Sequence, residues 1–361
     1  MEYQAYENNA SLLRNRSVPL PGTNSAVVEK TGVRQRFFRF INFFNGLKRR
    51  IAPGTHEKKV ENFYSTGINR ERIDHEQIDK IDRGFLSFGY WDKETTSYLE
   101  AATNLVHFVI ENGKLRKKNR ILNVACGYGT ETFIFYDRFA PASIEGIEIT
   151  KIHVDIANSK AKELGLSEKI KFRYGDACEL DYPDESFSCI LGIEGPAHFN
   201  SREKFFERAF RILENEGELL MTDIILGEEF NKGETLWGLV LKCVAKLWVY
   251  PKVNWVDEEG YKSQLDKAGL KLSCLEKIGD RVFPGFAGNC FKIKTIKTRT
   301  GHRGFFAVIG LNIISFMLKY VYKKGLIEYI FVKARKGSAT PAHEGTVKPI
   351  PDRIDEKNLF L

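Results

Sequence analysis

The chain has 361 residues, 43% of them hydrophobic, and a formal net charge of +8. It can therefore bury a substantial core in one or two domains. Residues 1–9 are polar and acidic, unlike a secretory signal, and no apolar run reaches the roughly 20 residues that span a bilayer. The six cysteines form no C-x-x-C pair, which argues against a zinc site or a disulfide framework. We therefore expect a cytoplasmic protein.

Residues 1–55 are predicted to be an N-terminal arm with a basic amphipathic helix from Val33 to Ile51. One side of this helix carries mostly phenylalanine and aliphatic residues, and arginines and lysines flank it. An apolar face backed by cations suits peripheral adsorption to an anionic membrane surface. The alternative is an ordinary helix that packs on the domain with its cations in solvent.

The most informative segment is a short apolar strand from Ile121 that runs into a glycine-bearing turn, Ala125 to Gly129. A helical pattern begins at Thr130. Such a turn exposes backbone N–H groups to a nucleotide-like ligand, because glycine has no side chain to hold the ligand away. A dinucleotide-binding dehydrogenase would need a third glycine where this chain has Thr132, so that class is disfavoured.

Further short strands follow, and four of them end in or beside an acidic residue. We predict strands that end at Glu148, Asp176–Ala177, Glu194 and Asp223, then strands over Lys271–Glu276 and Tyr329–Arg335, with helices between them, notably Val154–Leu164 and Arg202–Leu213. Strands that alternate with helices form a mostly parallel sheet with both faces covered. Ligands bind such a sheet at the carboxyl ends of its strands, where these acids lie.

This ordered set of motifs resembles the class I S-adenosylmethionine-dependent methyltransferases, over residues 60–223 and again over 261–335. The resemblance implies an α/β fold: a Rossmann-like, seven-stranded, mostly parallel sheet with an antiparallel last strand, a helical N-terminal lid and apolar helical inserts. It implies S-adenosyl-L-methionine as cofactor, and no metal site is indicated. Residues 56–335 would form the methyltransferase domain. Residues 336–361 mix Pro, Gly and charges and are expected to be a disordered tail.

The same resemblance assigns roles within the turn and the strand ends. Ala125-Cys126-Gly127 would hold the methionine end of the cofactor, Glu148 would bind its ribose, and Asp176 with Ala177 would read its adenine. Family members often carry Asp at the position of Asn123 and Gly at that of Ala125. The expected cofactor-binding set is Tyr64, Tyr90, Asn123, Ala125, Cys126, Gly127, Gly129, Glu148, Ile149, His153, Asp176, Ala177 and Ile193.

An aromatic segment, Phe88-Gly-Tyr90-Trp91, stands just before the sheet and is similar to the cofactor-covering lid of small-molecule methyltransferases. Aromatic faces favour a sulfonium cation by about 0.5–2 kcal/mol each when water is excluded. Tyr90 is the better lid candidate and Tyr64 the second. The alternative is simple packing of these aromatics in a helical cap.

Two apolar inserts are predicted, at about residues 228–256 and 281–325. The first lies where this family inserts substrate-binding helices after the fifth strand. The second contains a mostly apolar stretch from Phe305 to Leu318 that is too short to span a membrane. A buried helix, an interfacial helix and one wall of an apolar substrate pocket all remain open for it.

Methyl transfer from a sulfonium mainly requires that the acceptor be aligned and water excluded. A base helps when the acceptor is a hydroxyl or an acidic carbon. His198, which follows the fourth strand, is the best base candidate, because histidine titrates near neutral pH. Glu194 would hold the acceptor or orient His198, and Asp223 would act similarly. Each has a structural alternative, such as a loop contact or a contact behind the cofactor.

The sequence thus predicts methyl transfer to a hydrophobic small molecule, such as an isoprenoid, sterol, quinone, polyketide or lipid. No nucleic-acid partner is expected, because the basic cluster is interleaved with phenylalanine and the inserts are apolar. An N-methyltransferase of a polar amine is the alternative among enzymes. A non-catalytic cofactor-binding or membrane-associated protein is the alternative outside them.

Overall fold

The computed structural model describes residues 53–65, 84–113, 120–233, 235–297 and 305–337. The predicted basic helix at 33–51 lies outside these residues, as does nearly all of the predicted tail at 336–361. Both therefore stay predictions from the sequence, and so does the division of the chain into domains.

A seven-stranded sheet forms the centre of the described structure. Its strands are β1 (Arg120–Val124), β2 (Ser143–Glu148), β3 (Ile170–Tyr174), β4 (Phe187–Ile193), β5 (Leu213–Leu226), β6 (Leu270–Lys277) and β7 (Ile327–Lys336). They lie in the order β3-β2-β1-β4-β5-β7-β6. The first five are parallel, and β7 runs antiparallel to both β5 and β6. The predicted fold class, with its antiparallel last strand, is confirmed.

In the described ranges residues 293–297 are helical, and nine further α-helices surround this sheet. They are α1 (His56–Ser65), α2 (Tyr98–Gly113), α3 (Thr130–Phe139), α4 (Lys151–Glu163), α5 (Arg202–Ile212), α6 (Leu236–Leu247), α7 (Glu258–Lys267), α8 (Gly279–Cys290) and α9 (Phe305–Lys323). Alternate residues of a strand point to opposite faces, so the sheet supports a core on each side. Tyr329 and Phe331 of β7 join the cluster that contains α2, α8 and α9, whereas Ile330 and Val332 join the cluster of α5 and α7.

The strand β5 is longer than predicted. Apolar residues from Leu219 onward indicated its second half, but the strand begins at Leu213, directly after α5. The first part of β5 contains Glu214 and Glu216, so it does not form an apolar run in the sequence. The sequence signal therefore marks only the portion of β5 that is buried between β4 and β7.

Both predicted inserts are helical. α6 occupies the first, and the second contains α9 and most of α8, which begins at Gly279, just before the predicted boundary. Their inner faces pack on the sheet cluster through Leu241, Val282 and Leu318. None of the helices in the described part of the chain is long and apolar enough to cross a bilayer.

A buried ion pair fixes the start of α5 to the sheet. The Arg202 guanidinium donates through Nε to Asp223 Oδ2 at 2.7 Å and through Nη1 to the Asn254 carbonyl at 2.9 Å. Both charged side chains are fully buried. Arg202 also lies over the Tyr261 ring, 4.9 Å from its centroid. Asp223 therefore connects β5 to α5 through Arg202, and Arg202 extends the connection to α7 and the loop after α6. Asp223 is fully buried in this ion pair, and the catalytic role expected for it stays a prediction.

We expect Asp223→Ala to lower the free energy of unfolding by about 3–5 kcal/mol, because it leaves the Arg202 charge buried without its partner. Urea denaturation measures this change. The control is Glu214→Ala, which removes the exposed ion pair with Arg120 and should cost less than about 1 kcal/mol. Equal, small effects of the two variants would contradict this role for the buried pair.

Candidate active site

A cavity of about 260 Å³ opens at the carboxyl ends of β1, β2, β3 and β4. Its wall on the sheet side consists of the strand-end residues Ala125, Cys126, Gly127, Glu148, Ile149, Asp176, Ala177, Ile193 and Glu194. The opposite wall comes from α1, the segment 84–88 and the inserts. Most of the predicted cofactor-binding residues therefore meet in one place, although they are distant in sequence.

The turn after β1 has an unusual backbone. Ala125 has φ 52°, Gly127 has φ 51° and Gly129 has φ 77°. The left-handed region costs a residue with a Cβ on the order of 1–2 kcal/mol, so Ala125 is strained where family members often carry glycine. Gly129 cannot be replaced easily, because a Cβ there would lie 2.6 Å from the Phe172 ring. The turn is thus held tightly between β1 and α3.

Glu148 connects the ends of β1 and β2. Its Oε2 accepts the Gly127 N–H at 3.0 Å, and its Oε1 accepts the Thr150 N–H at 2.9 Å and lies 3.5 Å from His153 Nδ1. Burial alone would raise the pKa of Glu148, but the contacts with His153, Thr150 and Gly127 together lower it below its ordinary value. Glu148 is therefore a buried carboxylate that remains ionised at the cavity wall.

Asp176 and Ala177 follow β3 and form the far end of the cavity. Asp176 Oδ1 accepts the Cys178 N–H at 2.8 Å and so caps a short 3-10 helix. Partial burial raises the pKa of Asp176.

Two further carboxyls, Glu131 and Glu194, approach the centre of the cavity. Glu194 has φ 59° and is held by the Phe88 N–H at 2.7 Å and the Tyr329 hydroxyl at 2.8 Å, both of which donate to Oε1. Burial raises the pKa of each carboxyl to about 8, and for Glu131 the charges of Glu194 and Glu148 add to this effect. With Glu57, Glu148 and Asp176, five acidic residues thus line the same cavity.

His198 lies across the cavity, in a 3-10 helix after β4. Its Nε2 is 2.9 Å from the Tyr64 hydroxyl, and its carbonyl accepts from His56 Nε2 at 2.6 Å. The Tyr250 ring packs 4.5 Å away. Burial, with a smaller contribution from His56, lowers the pKa of His198 to about 3, so its imidazole is neutral at physiological pH.

Four predicted cofactor residues do not line the cavity. Tyr90 stacks on Phe108, with ring centroids 5.1 Å apart, so the expected preference for Tyr90 over Tyr64 is reversed: Tyr64 is at the cavity wall. Asn123 instead donates to Thr132 Oγ1 at 2.9 Å and holds α3. Gly129 shapes the turn, and His153 lies behind Glu148.

Several cavity residues were not anticipated from the sequence. Glu131 directly follows the glycine turn, so its position near the strand ends could have been recognised. Trp248 and Tyr250 carry no local signal, because the predicted insert brings them to the cavity only in three dimensions. Tyr329 of β7 does not line the cavity, and its hydroxyl donates to Glu194 from behind. Within the described ranges, no cluster of His, Cys, Asp and Glu is arranged to hold a metal ion.

Comparison with known proteins agrees with this geometry. Residues 115–269 match a family model described as a methyltransferase domain. The chain is 28% identical over 212 residues to erythromycin 3''-O-methyltransferase of Saccharopolyspora erythraea, and the match spans 58% of this chain and 68% of that one.

Solved structures share the fold. The [4+2]-cyclase SpnF has a TM-score of 0.59 at 21% identity, over 80% of this chain and 98% of that one. Geranyl diphosphate C-methyltransferase of Streptomyces coelicolor, solved with S-adenosyl-L-homocysteine, has a TM-score of 0.61 at 14% identity, over 79% of this chain and 99% of that one. At these identities the likeness concerns the fold alone.

Residues 115–269 thus form a methyltransferase domain, and the chain is an S-adenosylmethionine-dependent methyltransferase, an enzyme that uses S-adenosyl-L-methionine. The cavity fits that cofactor's cationic sulfonium, because Glu131, Glu148 and Glu194 line it and, within the described residues, no lysine or arginine does. At Ala125 and Gly127 the backbone adopts a left-handed turn, and the small side chains there leave the main chain accessible to a ligand.

We predict that the enzyme discriminates more strongly between S-adenosylmethionine and S-adenosylhomocysteine as the pH rises from 6.5 to 9.5. Glu131 and Glu194, with pKa values of about 8, ionise over this range, and their negative charge favours only the sulfonium. The ratio of the two affinities, measured by calorimetry, should rise roughly tenfold, about 1.4 kcal/mol.

The amino groups of the two ligands ionise at different pH values, because the sulfonium lowers the amino pKa of its own molecule. The ratio is therefore corrected with the amino pKa measured for each free ligand. The matched variant Glu131→Gln removes one titrating carboxyl and should reduce the pH dependence. A ratio that stays constant between pH 6.5 and 9.5 in the unaltered enzyme would show that these carboxyls do not face the sulfonium.

Proposed function

We propose that this enzyme methylates a hydrophobic small molecule that enters the cavity from the side of the inserts. One observation carries the proposal: the part of the lining that the segment 84–88 and the inserts supply is mostly apolar and aromatic. It includes Phe85, Leu86, Phe88, Trp248, Phe286 and Leu311. Four of the five carboxyl groups in the lining come instead from the strand ends and the start of α3, and the fifth, Glu57, comes from α1.

Phe88 organises this apolar wall. Its ring stacks on Trp248 with centroids 5.6 Å apart and meets the Phe286 ring edge-on at 4.9 Å. Its backbone N–H is the donor that reaches Glu194. This hydrogen bond connects the apolar wall to Glu194 at the end of β4, and both line the cavity.

Relatives support an acceptor of this kind. Alongside the erythromycin 3''-O-methyltransferase, the chain is 31% identical over 153 residues to a sterol 24-C-methyltransferase of Gibberella zeae. It is 23% identical over 232 residues to a probable tocopherol O-methyltransferase of rice. The names cover both oxygen and carbon as the methylated atom, so they favour a bulky apolar acceptor without fixing that atom.

In this proposal the sheet side holds the cofactor. Ala125, Cys126 and Gly127 would receive its methionine end, Glu148 its ribose hydroxyls, and Asp176 with Ala177 its adenine. The bound cofactor supplies an activated methyl group, so the protein mainly has to align the acceptor and exclude water. Tyr64 and the segment 84–88 cover the strand ends and reduce the access of solvent.

His198 and Tyr64 would take the acceptor's proton when that acceptor is a hydroxyl or an acidic carbon. The neutral imidazole has a free electron pair to accept a proton, and the Tyr64 hydroxyl, 2.9 Å from Nε2, can pass one to it. A pKa of about 3 makes the imidazole a weak base. The nearby Glu148 charge favours its protonated form and partly offsets this cost.

A polar amine is the second candidate acceptor, because the acidic cavity could also hold an ammonium group. The apolar wall formed by the inserts argues against it, since such a wall would leave the amine's polar groups unpaired. A protein that binds the cofactor without transferring the methyl group is the third. One radiochemical experiment separates the three.

When the purified enzyme is incubated with cell lipid extract and methyl-labelled S-adenosylmethionine, we expect label in the organic phase. Label that appears only in the aqueous phase, with a water-soluble extract, would favour the amine. Absence of transfer despite cofactor binding would favour the non-catalytic alternative.

In the same assay, we expect His198→Ala to lower kcat by roughly 10²- to 10⁴-fold while S-adenosylhomocysteine affinity stays unchanged. Tyr64→Phe should lower kcat less, because His198 remains. The rates are compared at saturating acceptor concentration, so that a lower rate reflects the loss of a base and not weaker binding of the acceptor. Full turnover by His198→Ala would remove it from the proton path.

A further inference from the structure

The helices α6 and α9 present apolar side chains outward as well as inward. On α9, Ile309, Ile313 and Phe316 are 39%, 50% and 49% exposed, and their spacing of four and three residues places them on one face. The opposite face of α9 is buried and includes Val308, Leu318 and Val321. A helix that is apolar all round is normally enclosed, so the outer face requires an explanation.

α6 continues this surface. Leu236 and Leu239, three residues apart, are 72% and 49% exposed. The ring of Trp237, beside them, stacks on Tyr320 of α9 at 4.3 Å, and Tyr320 lies 5.8 Å from Phe316. These ring contacts join the exposed apolar residues of α6 and those of α9 into one surface. We name it the α6/α9 face, and it comprises Leu236, Leu239, Ile309, Ile313 and Phe316.

The charged residues of α6 and α9 are all of one sign. Neither helix contains an acidic residue, and the two helices with the residue that follows α9 carry Lys242, Lys246, Lys319, Lys323 and Lys324. The Lys324 ammonium lies 5.9 Å from the centre of the Tyr320 ring. Exposed aliphatic and aromatic side chains with cations beside them match the boundary between lipid tails and anionic headgroups.

We propose that the α6/α9 face docks on an anionic lipid bilayer. A second copy of the chain fits less well, because a two-fold contact through this face would bring lysines against lysines with no acid in either helix to pair with them. A bilayer supplies both the apolar layer and the opposite charge. Its residues are other than those of the basic helix predicted for residues 33–51, and the proposal does not depend on which acceptor is methylated.

The position of the face gives docking a consequence for substrate entry. Leu311 of α9 lines the cavity, and so do Trp248 and Tyr250, which directly follow α6. The helices that touch the membrane are thus the ones whose other surfaces enclose the acceptor side of the cavity. An acceptor dissolved in the bilayer would pass between these helices without crossing bulk water.

Vesicle flotation with the full chain tests the proposal. Vesicles of phosphatidylcholine alone are compared with vesicles that also contain phosphatidylglycerol. We expect at least a tenfold greater bound fraction with the anionic vesicles, and at least a tenfold loss for the double variant Ile313→Glu, Phe316→Glu. Leu164→Glu is the matched control, since Leu164 is also exposed (38%) but follows α4, away from this face, and it should bind like the unaltered protein.

Each variant is first checked for S-adenosylhomocysteine binding, which confirms its fold and uses residues outside the face. Flotation needs no methyl acceptor, so its outcome is independent of the proposed reaction. The proposal is overturned if the unaltered protein stays with the unbound fraction, or if the double variant floats equally well. It is also overturned if light scattering shows a dimer that the double variant converts to monomers.

Discussion

The carboxylate of Glu148 imposes one geometry on the ends of β1 and β2. It receives N–H groups from Gly127, in the turn after β1, and from Thr150, at the start of α4, while His153 lies against its other side. A buried charge of this kind is tolerated only when its hydrogen bonds are satisfied. Glu148 therefore fixes the strained turn at Ala125 and Gly127 to the end of β2. It also places a negative charge beside that turn.

Around this point the fold separates two chemical environments. The carboxyl ends of the parallel strands supply the acids Glu148, Asp176 and Glu194, whereas α6, α8 and α9 supply aromatic and aliphatic surface. Glu194 connects them, because it accepts from Phe88 on the apolar wall and from Tyr329 of the antiparallel strand β7. In the proposed function the inserts select the acceptor, and the strand ends hold the methyl donor. The outer face of two of these inserts extends the same apolar character to the protein surface.

The sequence predicted the sheet and most of the cavity, because both depend on local patterns. A short apolar strand that ends in glycine or an acidic residue is typical of a parallel sheet with a ligand site at its carboxyl edge. This pattern predicted that Gly127, Glu148 and Asp176 lie at that edge, and all three line the cavity. Asp223 obeys the same pattern but pairs with Arg202, a contact between residues distant in sequence that no pattern around β5 indicates. Tyr90 was misplaced because the segment 84–92 has no helical or strand period, so the direction of each side chain depends on packing against α2. The roles of Tyr250 and Tyr329 likewise depend on tertiary contacts alone.

Calorimetric titration with S-adenosylhomocysteine, for the unaltered enzyme and for Glu148→Gln, tests this account most directly. The control is Glu145→Gln, a neighbour on β2 that contacts Tyr182 and Arg173 instead of the turn. We predict saturable binding at one site, a loss of about 10- to 100-fold in affinity for Glu148→Gln, and little change for the control. Equal affinity for all three proteins, or no binding by the unaltered enzyme, would contradict the account.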